Sequence, residues 1–215
     1  MTRRDDIIDA LIEESGTLWS EEIGANIARD TPQELFHWLI GAIMLSARIG
    51  SGLAVQGAAA LRAAGLHKID GIRGAAWEDI VRVLNENGYA RYDESTARYL
   101  QDVAVWAEET CGGDLRRLRD DAKDAGAILK ALQGAKGLGP VGADIFAREA
   151  QLVWDALYPR MGGPAEDSAR KLGLPDDAET LAEAAGSRER FVRLVAALTR
   201  VALDGPGPRV GELAD

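Results

Sequence analysis

Residues 30–49, DTPQELFHWLIGAIMLSARI, constrain the fold more than any other stretch. Thr31 stands at an N-cap position, Pro32 follows in the first turn, and Glu34 comes three residues after the cap, so a helix is predicted to start here. From Leu35 to Leu45 the apolar residues then run all the way round the helix. A helix with no polar stripe is stable in water only when other elements cover it on every side. The chain must therefore wrap a buried central helix. With 215 residues, 47% of them hydrophobic, it has the material to build that core.

The covering elements read as helices too. Nowhere do β-branched and aromatic residues alternate over a useful length, so no strand is predicted and the fold class is all-α. RRDDIIDALIEES places Ile7, Ile8, Leu11 and Ile12 on one face. WEDIVRVLNENG ends at Gly88 as at a C-cap, and DESTARYLQDVAVWAEET starts on a carboxylate cap and runs to Gly112. DAGAILKALQG, ADIFAREAQLVWDAL, DSARKLGL, DDAETLAEAAG and SRERFVRLVAALTRVAL complete the set, while the tail DGPGPRVGELAD reads as loose. Trp38, Trp77, Trp106 and Trp154 fall on helical stretches and are assigned to the core. No fixed-period repeat and no low-complexity linker interrupts the pattern.

Composition narrows the chemistry. The lone Cys111 excludes an internal disulfide and any four-cysteine iron–sulfur cluster. His37 and His67 lie far apart without ligand spacing, so no metal and no cofactor are expected. The N-terminus carries acids among its bases, unlike a signal peptide, and no apolar run is long enough to span a bilayer. A reducing, cytoplasmic location and a monomer are the expectation. The net charge of −10 argues against nucleic acid. The acids cluster near the N-terminus and in DDAETLAEAA, however, which leaves room for a local basic face.

The corner GAKGLGPVGAD sits between two helical stretches and packs four glycines and one proline into residues 134–142. Gly137, Gly139 and Gly142 permit positive φ and put no Cβ on the outside of the turn. Backbone amides can then face a ligand, and the next helix, starting near Gly142, adds its free N–H groups and positive dipole end. Such a corner suits an anion, phosphate above all, without a basic side chain. Leu138 and Val141 are expected to pack inward and hold the turn.

This corner resembles the hairpin of the helix-hairpin-helix DNA glycosylases, nearest to the endonuclease III branch, whose pattern is Leu-Pro-Gly-Val-Gly. Leu138, Val141 and Gly142 match; Gly139 and Pro140 stand in inverted order. ELFHWLIGAIMLSARIG resembles the family's central helix, LNENGYARYDESTARYLQDVA its Gly-Tyr-x-x-x-Lys-Ala junction, and RKLGLP the end of the helix after its catalytic loop. The resemblance implies two helical subdomains, one of residues 30–145 with the hairpin at 136–142, the other of 1–29 with 146–215, and the hairpin at the cleft between them. It implies double-stranded DNA as the partner, gripped by Leu138, Gly139, Pro140, Val141 and Gly142, and a damaged base turned out of the duplex. It also allows a monovalent cation at the hairpin. Arg48 takes the place of the family's wedge glutamine, where a guanidinium can stack on bases or reach a phosphate. Tyr89 and Tyr92 are candidates for a pocket wall. Arg188, Arg190, Arg193 and Arg200 read as a solvated face.

The catalytic positions depart from the family. Its lysine, which forms a Schiff base, is replaced by Asp144, so no lyase activity is expected. Its aspartate falls near Gly162 and Gly163, neither of which carries a carboxylate; Asp155 comes too early and sits mid-helix. Asp144 or Asp167 is left to steady the cationic sugar. Three readings stay open: a monofunctional DNA glycosylase, a non-catalytic DNA-binding relative, and an acidic helical protein that contacts other proteins.

Overall fold

The computed structural model describes residues 2–214, and among them there is no strand. The helices are α1 (Arg3–Ser15), α2 (Trp19–Glu22), α3 (Pro32–Leu45), α4 (Ser51–Ala63), α5 (Ile69–Gly74), α6 (Trp77–Glu86), α7 (Asp93–Cys111), α8 (Arg116–Asp120), α9 (Ala125–Leu132), α10 (Pro140–Ala150), α11 (Gly163–Lys171), α12 (Ala178–Ala185), α13 (Arg188–Asp204) and α14 (Pro208–Ala214). No helix among the described residues is long and apolar enough to cross a membrane. The chain divides into two compact units. One is Trp19–Ala156; the other joins the residues up to Leu18 with those from Leu157 onward.

The larger unit is built around α3. Every residue from Glu34 to Met44 is buried, in line with the apolar pattern. Helices α4 and α10 pack against it. Gly57 of α4 allows the close approach, because a Cβ there would stand 2.8 Å from the Met44 Cε. The predicted capping box does not form. Thr31 makes no side-chain cap bond. The Glu34 carboxylate instead accepts from Arg62 of α4, at 3.1 and 3.3 Å, and from the Asn26 amide at 2.8 Å. Burial pushes the Glu34 pKa up, but Arg62 and the Asn26 amide outweigh it and hold the carboxyl below its usual range.

Two other acids fasten this unit. Buried Glu149 of α10 accepts from the Trp19 and Ser20 amides at 2.8 and 2.9 Å, capping the short α2 from across the sequence. Asp30 sits at φ 45° and accepts from Arg119 at 2.8 Å and from the Trp154 indole at 3.1 Å. Trp38 and Trp154 are core residues as predicted, while Trp77 and Trp106 are half-buried. The helix expected to run through Trp154 ends at Ala150, and Asp155 lies in a 3₁₀ turn, not mid-helix.

In the smaller unit α13 packs on α1, α11 and α12. Its arginines are occupied: Arg190 pairs with Asp9, Arg193 reaches the Gly16 carbonyl at 3.3 Å, and Arg200 that of Thr17 at 3.0 Å. The tail is not loose. It forms α14 against α1, with Val210 buried and the Glu14 carboxylate accepting from the Arg209 and Val210 amides at 3.0 and 3.3 Å.

His37 and His67, distant in sequence, meet edge to face with ring centroids 5.5 Å apart. His37 Nε2 donates to the Ala58 carbonyl and its Nδ1 accepts from Arg62, so the ring is neutral. Burial pushes the His37 pKa down to about 4. The unfolded chain therefore takes up a proton between pH 6.5 and about 4 that the folded chain refuses, and stability falls as pH falls through that window. His37→Gln, which keeps both hydrogen bonds, is expected to lose less stability across this window than the parent. The difference should be on the order of 2 kcal/mol, read from urea unfolding at each pH.

Candidate nucleic-acid interface

Residues 133–139 join α9 to α10 as a hairpin. Its glycines serve three different ends. Gly137 alone uses positive φ, at 84°, and presses on Tyr99, whose ring carbon would lie 2.7 Å from an added Cβ. Gly142 is buried in the first turn of α10, where a Cβ would meet Leu138 at 2.7 Å and the Ser46 hydroxyl at 3.3 Å. Gly139 is the N-cap of α10, with φ −77°, and nothing lies within 4 Å of where its Cβ would be. Positive φ at Gly139 and Gly142 is thus corrected, and so is the helix start, which is Pro140 and not Gly142.

Leu138 packs inward at 2% exposure, but Val141 does not; it stands 66% exposed at the tip. Pro140 takes N1, so Val141 falls at N2 on the outer side of the first turn. The Ala143 amide bonds to the Gly139 carbonyl, whereas the amides of Gly139, Val141 and Gly142 have no backbone acceptor. Gly139 and Val141 are exposed. The hairpin thus presents donors, a helix dipole end and no obstructing side chain on one side.

Arg48 lies exposed just past the end of α3. It shares a cavity of about 400 Å³ with Ser46, Tyr92, Ser95, Thr96, Tyr99 and the hairpin's Gly137. Tyr92 therefore reaches a pocket wall as predicted, but Tyr89 does not: it is fully buried, its hydroxyl donating to the Met44 carbonyl. Four residues lining this recess, Tyr92 at the N-cap of α7 and Ser95, Thr96 and Tyr99 within it, were not singled out as a set from the sequence. Their i, i+3, i+4, i+7 spacing, polar yet facing one side, was the available signal.

Neither candidate carboxylate stands alone. Asp144 of α10 pairs with Arg148 one turn on, at 3.9 Å, and Arg148 lies over the Trp19 ring. Asp167 of α11 pairs with Arg170 at 2.9 Å on an exposed face. Asp144 belongs to the larger unit and Asp167 to the smaller.

No known family profile matches the sequence, and no curated protein matches it. A solved structure does match by fold: a trapped endonuclease III–DNA covalent intermediate, an estranged-adenine complex. The match covers 94% of this chain and 86% of that one, at a TM-score of 0.50 and 18% identity. The chain thus has an all-helical, endonuclease III-like fold.

The three glycine roles are separable by experiment. Gly137→Ala is expected to cost at least about 1–2 kcal/mol, because alanine disfavours the left-handed region and its methyl meets Tyr99. Gly139→Ala should stay within about 0.5 kcal/mol of the parent in urea unfolding.

Proposed function

We propose that this chain is a DNA-binding protein of base excision repair, a monofunctional glycosylase that hydrolyses the N-glycosidic bond of a damaged base in duplex DNA. One observation carries the reading: the hairpin of an endonuclease III-like fold offers the exposed amides of Gly139 and Val141 at a helix N-terminus. A strand phosphate is the anion this geometry fits. The cations beside it support the reading. Among the described residues no carboxylate pairs with Arg48, Arg91 or Lys136, although the chain is acidic overall. Arg48 precedes α4 at the mouth of the recess, Arg91 stands over the Tyr92 ring, and Lys136 adjoins Gly137. Local charge, not net charge, sets attraction to a phosphate at contact distance.

In this reading Asp144 or Asp167 steadies the cationic sugar as the base leaves and positions the water that attacks it. No cofactor takes part. With Asp144 where the resemblance puts the lyase lysine, no amine stands there to form a Schiff base. A second reading, a non-catalytic DNA-binding protein, is favoured by the ion pairs that already engage both carboxylates.

Gly139→Asp tests binding in a folded protein. An aspartate at this N-cap is accommodated, since the site is open, and its carboxylate accepts from the Val141 or Gly142 amide. The same carboxylate removes the donors and repels phosphate. Duplex affinity should fall more than about tenfold, about 1.4 kcal/mol, in fluorescence anisotropy, while the unfolding midpoint holds or rises. Unchanged affinity would sink the hairpin's role. For the chemistry, duplexes carrying a panel of damaged bases are incubated with the protein and then treated with alkali. Base removal shows as strand breaks, borohydride should trap no covalent adduct, and Asp144→Asn or Asp167→Asn should abolish removal while leaving binding intact. A parent protein that removes no lesion leaves the non-catalytic reading.

A further inference from the structure

A second cavity opens at the other ends of α3 and α7. It lies between the first turn of α3, the start of α5 and the C-terminal end of α7, wholly within the larger unit. Gln33, which lines it, and Ser46, which lines the recess by the hairpin, are about 20 Å apart along the α3 axis. Its volume of about 340 Å³ falls in the range of sites that hold small ligands. Phe36 and Ile69 give it an apolar wall, and three charged side chains share the lining: Lys68, Asp70 and Glu108. Glu108 is balanced by Arg73, with which it pairs. Lys68 and Asp70, both exposed at the start of α5, make no ion pair with each other or with any other described residue. One cation and one anion are thus left to meet a ligand. Gln33 adds an acceptor: its amide nitrogen, 3.2 Å from His67 Nε2, can only donate, which leaves Oε1 available. The two carboxylates in the lining disfavour a phosphate, so this cavity is no extension of the surface around the hairpin.

We propose that this cavity binds a free α-amino acid with an apolar side chain, its ammonium toward Asp70 and Gln33, its carboxylate toward Lys68 and its side chain against Phe36 and Ile69. A ligand of single charge answers only one of the two unpaired lining charges, whereas a zwitterion answers both. The site is independent of the DNA-binding reading, because it shares no residue with the hairpin or with the recess beside it.

The test titrates three probes by saturation-transfer NMR: L-phenylalanine, phenethylamine, which lacks its carboxylate, and phenylpropionate, which lacks its ammonium. The parent is expected to bind L-phenylalanine at least about fivefold more tightly than either analogue. Lys68→Gln should bring L-phenylalanine to within about twofold of phenethylamine, and Asp70→Asn to within about twofold of phenylpropionate, since each substitution removes the partner of one charge only. Both side chains are exposed, and an unchanged urea midpoint shows that each variant is folded. No binding of L-phenylalanine, an analogue that matches it in the parent, or a preference that survives either substitution overturns the proposal.

Discussion

The contact between Gly142 and Leu138, with the Ser46 hydroxyl beside it, is the constraint on which the rest of the candidate surface depends. There the first turn of α10 packs so tightly that an added Cβ would overlap the hairpin's own Leu138 at 2.7 Å and crowd the Ser46 hydroxyl, just past α3, at 3.3 Å. Farther from the turn, four residues on along α10 from Gly142, the two helices are tied again, with the Trp38 indole of α3 donating to the Phe146 carbonyl at 3.0 Å. A hairpin held by packing on its inner side can leave its outer side bare. The amides of Gly139 and Val141 are open because the turn does not need them for its own stability, and a donor fixed in place by buried packing loses little entropy when an anion arrives.

The central helix was legible because its signal is an aggregate. Eleven consecutive residues without a polar face admit one physical outcome, and burial of the stretch up to Met44 follows. The hairpin was legible for the same reason, as a density of glycines. What each glycine does was not. Positive φ at Gly137, close approach at Gly142 and open space at Gly139 are three demands that one residue type meets, and only the positions of Tyr99, Leu138 and Ser46 distinguish them. The short helices were illegible for a different reason. α2 takes its cap from Glu149 and α14 from Glu14, carboxylates 130 and 195 residues from the amides they accept. A window that sees only neighbouring residues reads such segments as loops, because the group that completes them is elsewhere.

Net charge is a coarse signal for a related reason. The figure of −10 counts every acid equally, but many acids here are spent inside the fold. Glu34 holds Arg62, Asp30 holds Arg119 and Trp154, and Glu149 caps α2. The arginines of α13 are likewise taken, by Asp9 and by carbonyls beyond α1, so the smaller unit's most basic segment is structural. The cations that remain without a carboxylate around the hairpin are few but close together in function: Arg48, Arg91 and Lys136 all adjoin elements that line the recess. At a Debye length of about 8 Å, acids several turns away count for little against a phosphate in contact with such groups.

Binding and bond cleavage make different electrostatic demands, and the groups proposed for the two are different residues of this chain. Binding asks for donors and cations that are unengaged before the ligand arrives, and the hairpin with its neighbours supplies them from the larger unit alone. Cleavage of a glycosidic bond asks for a carboxylate whose charge is available when the sugar becomes cationic. A guanidinium already paired with that carboxylate weakens its pull on the sugar, since the same charge must serve both. Both candidates are engaged in this way, Asp144 by Arg148 at 3.9 Å and Asp167 by Arg170 at 2.9 Å. Because the amides proposed to hold phosphate are not the groups proposed to stabilise the sugar, binding and base removal are separable under this reading, and affinity by itself says nothing about whether a base is removed.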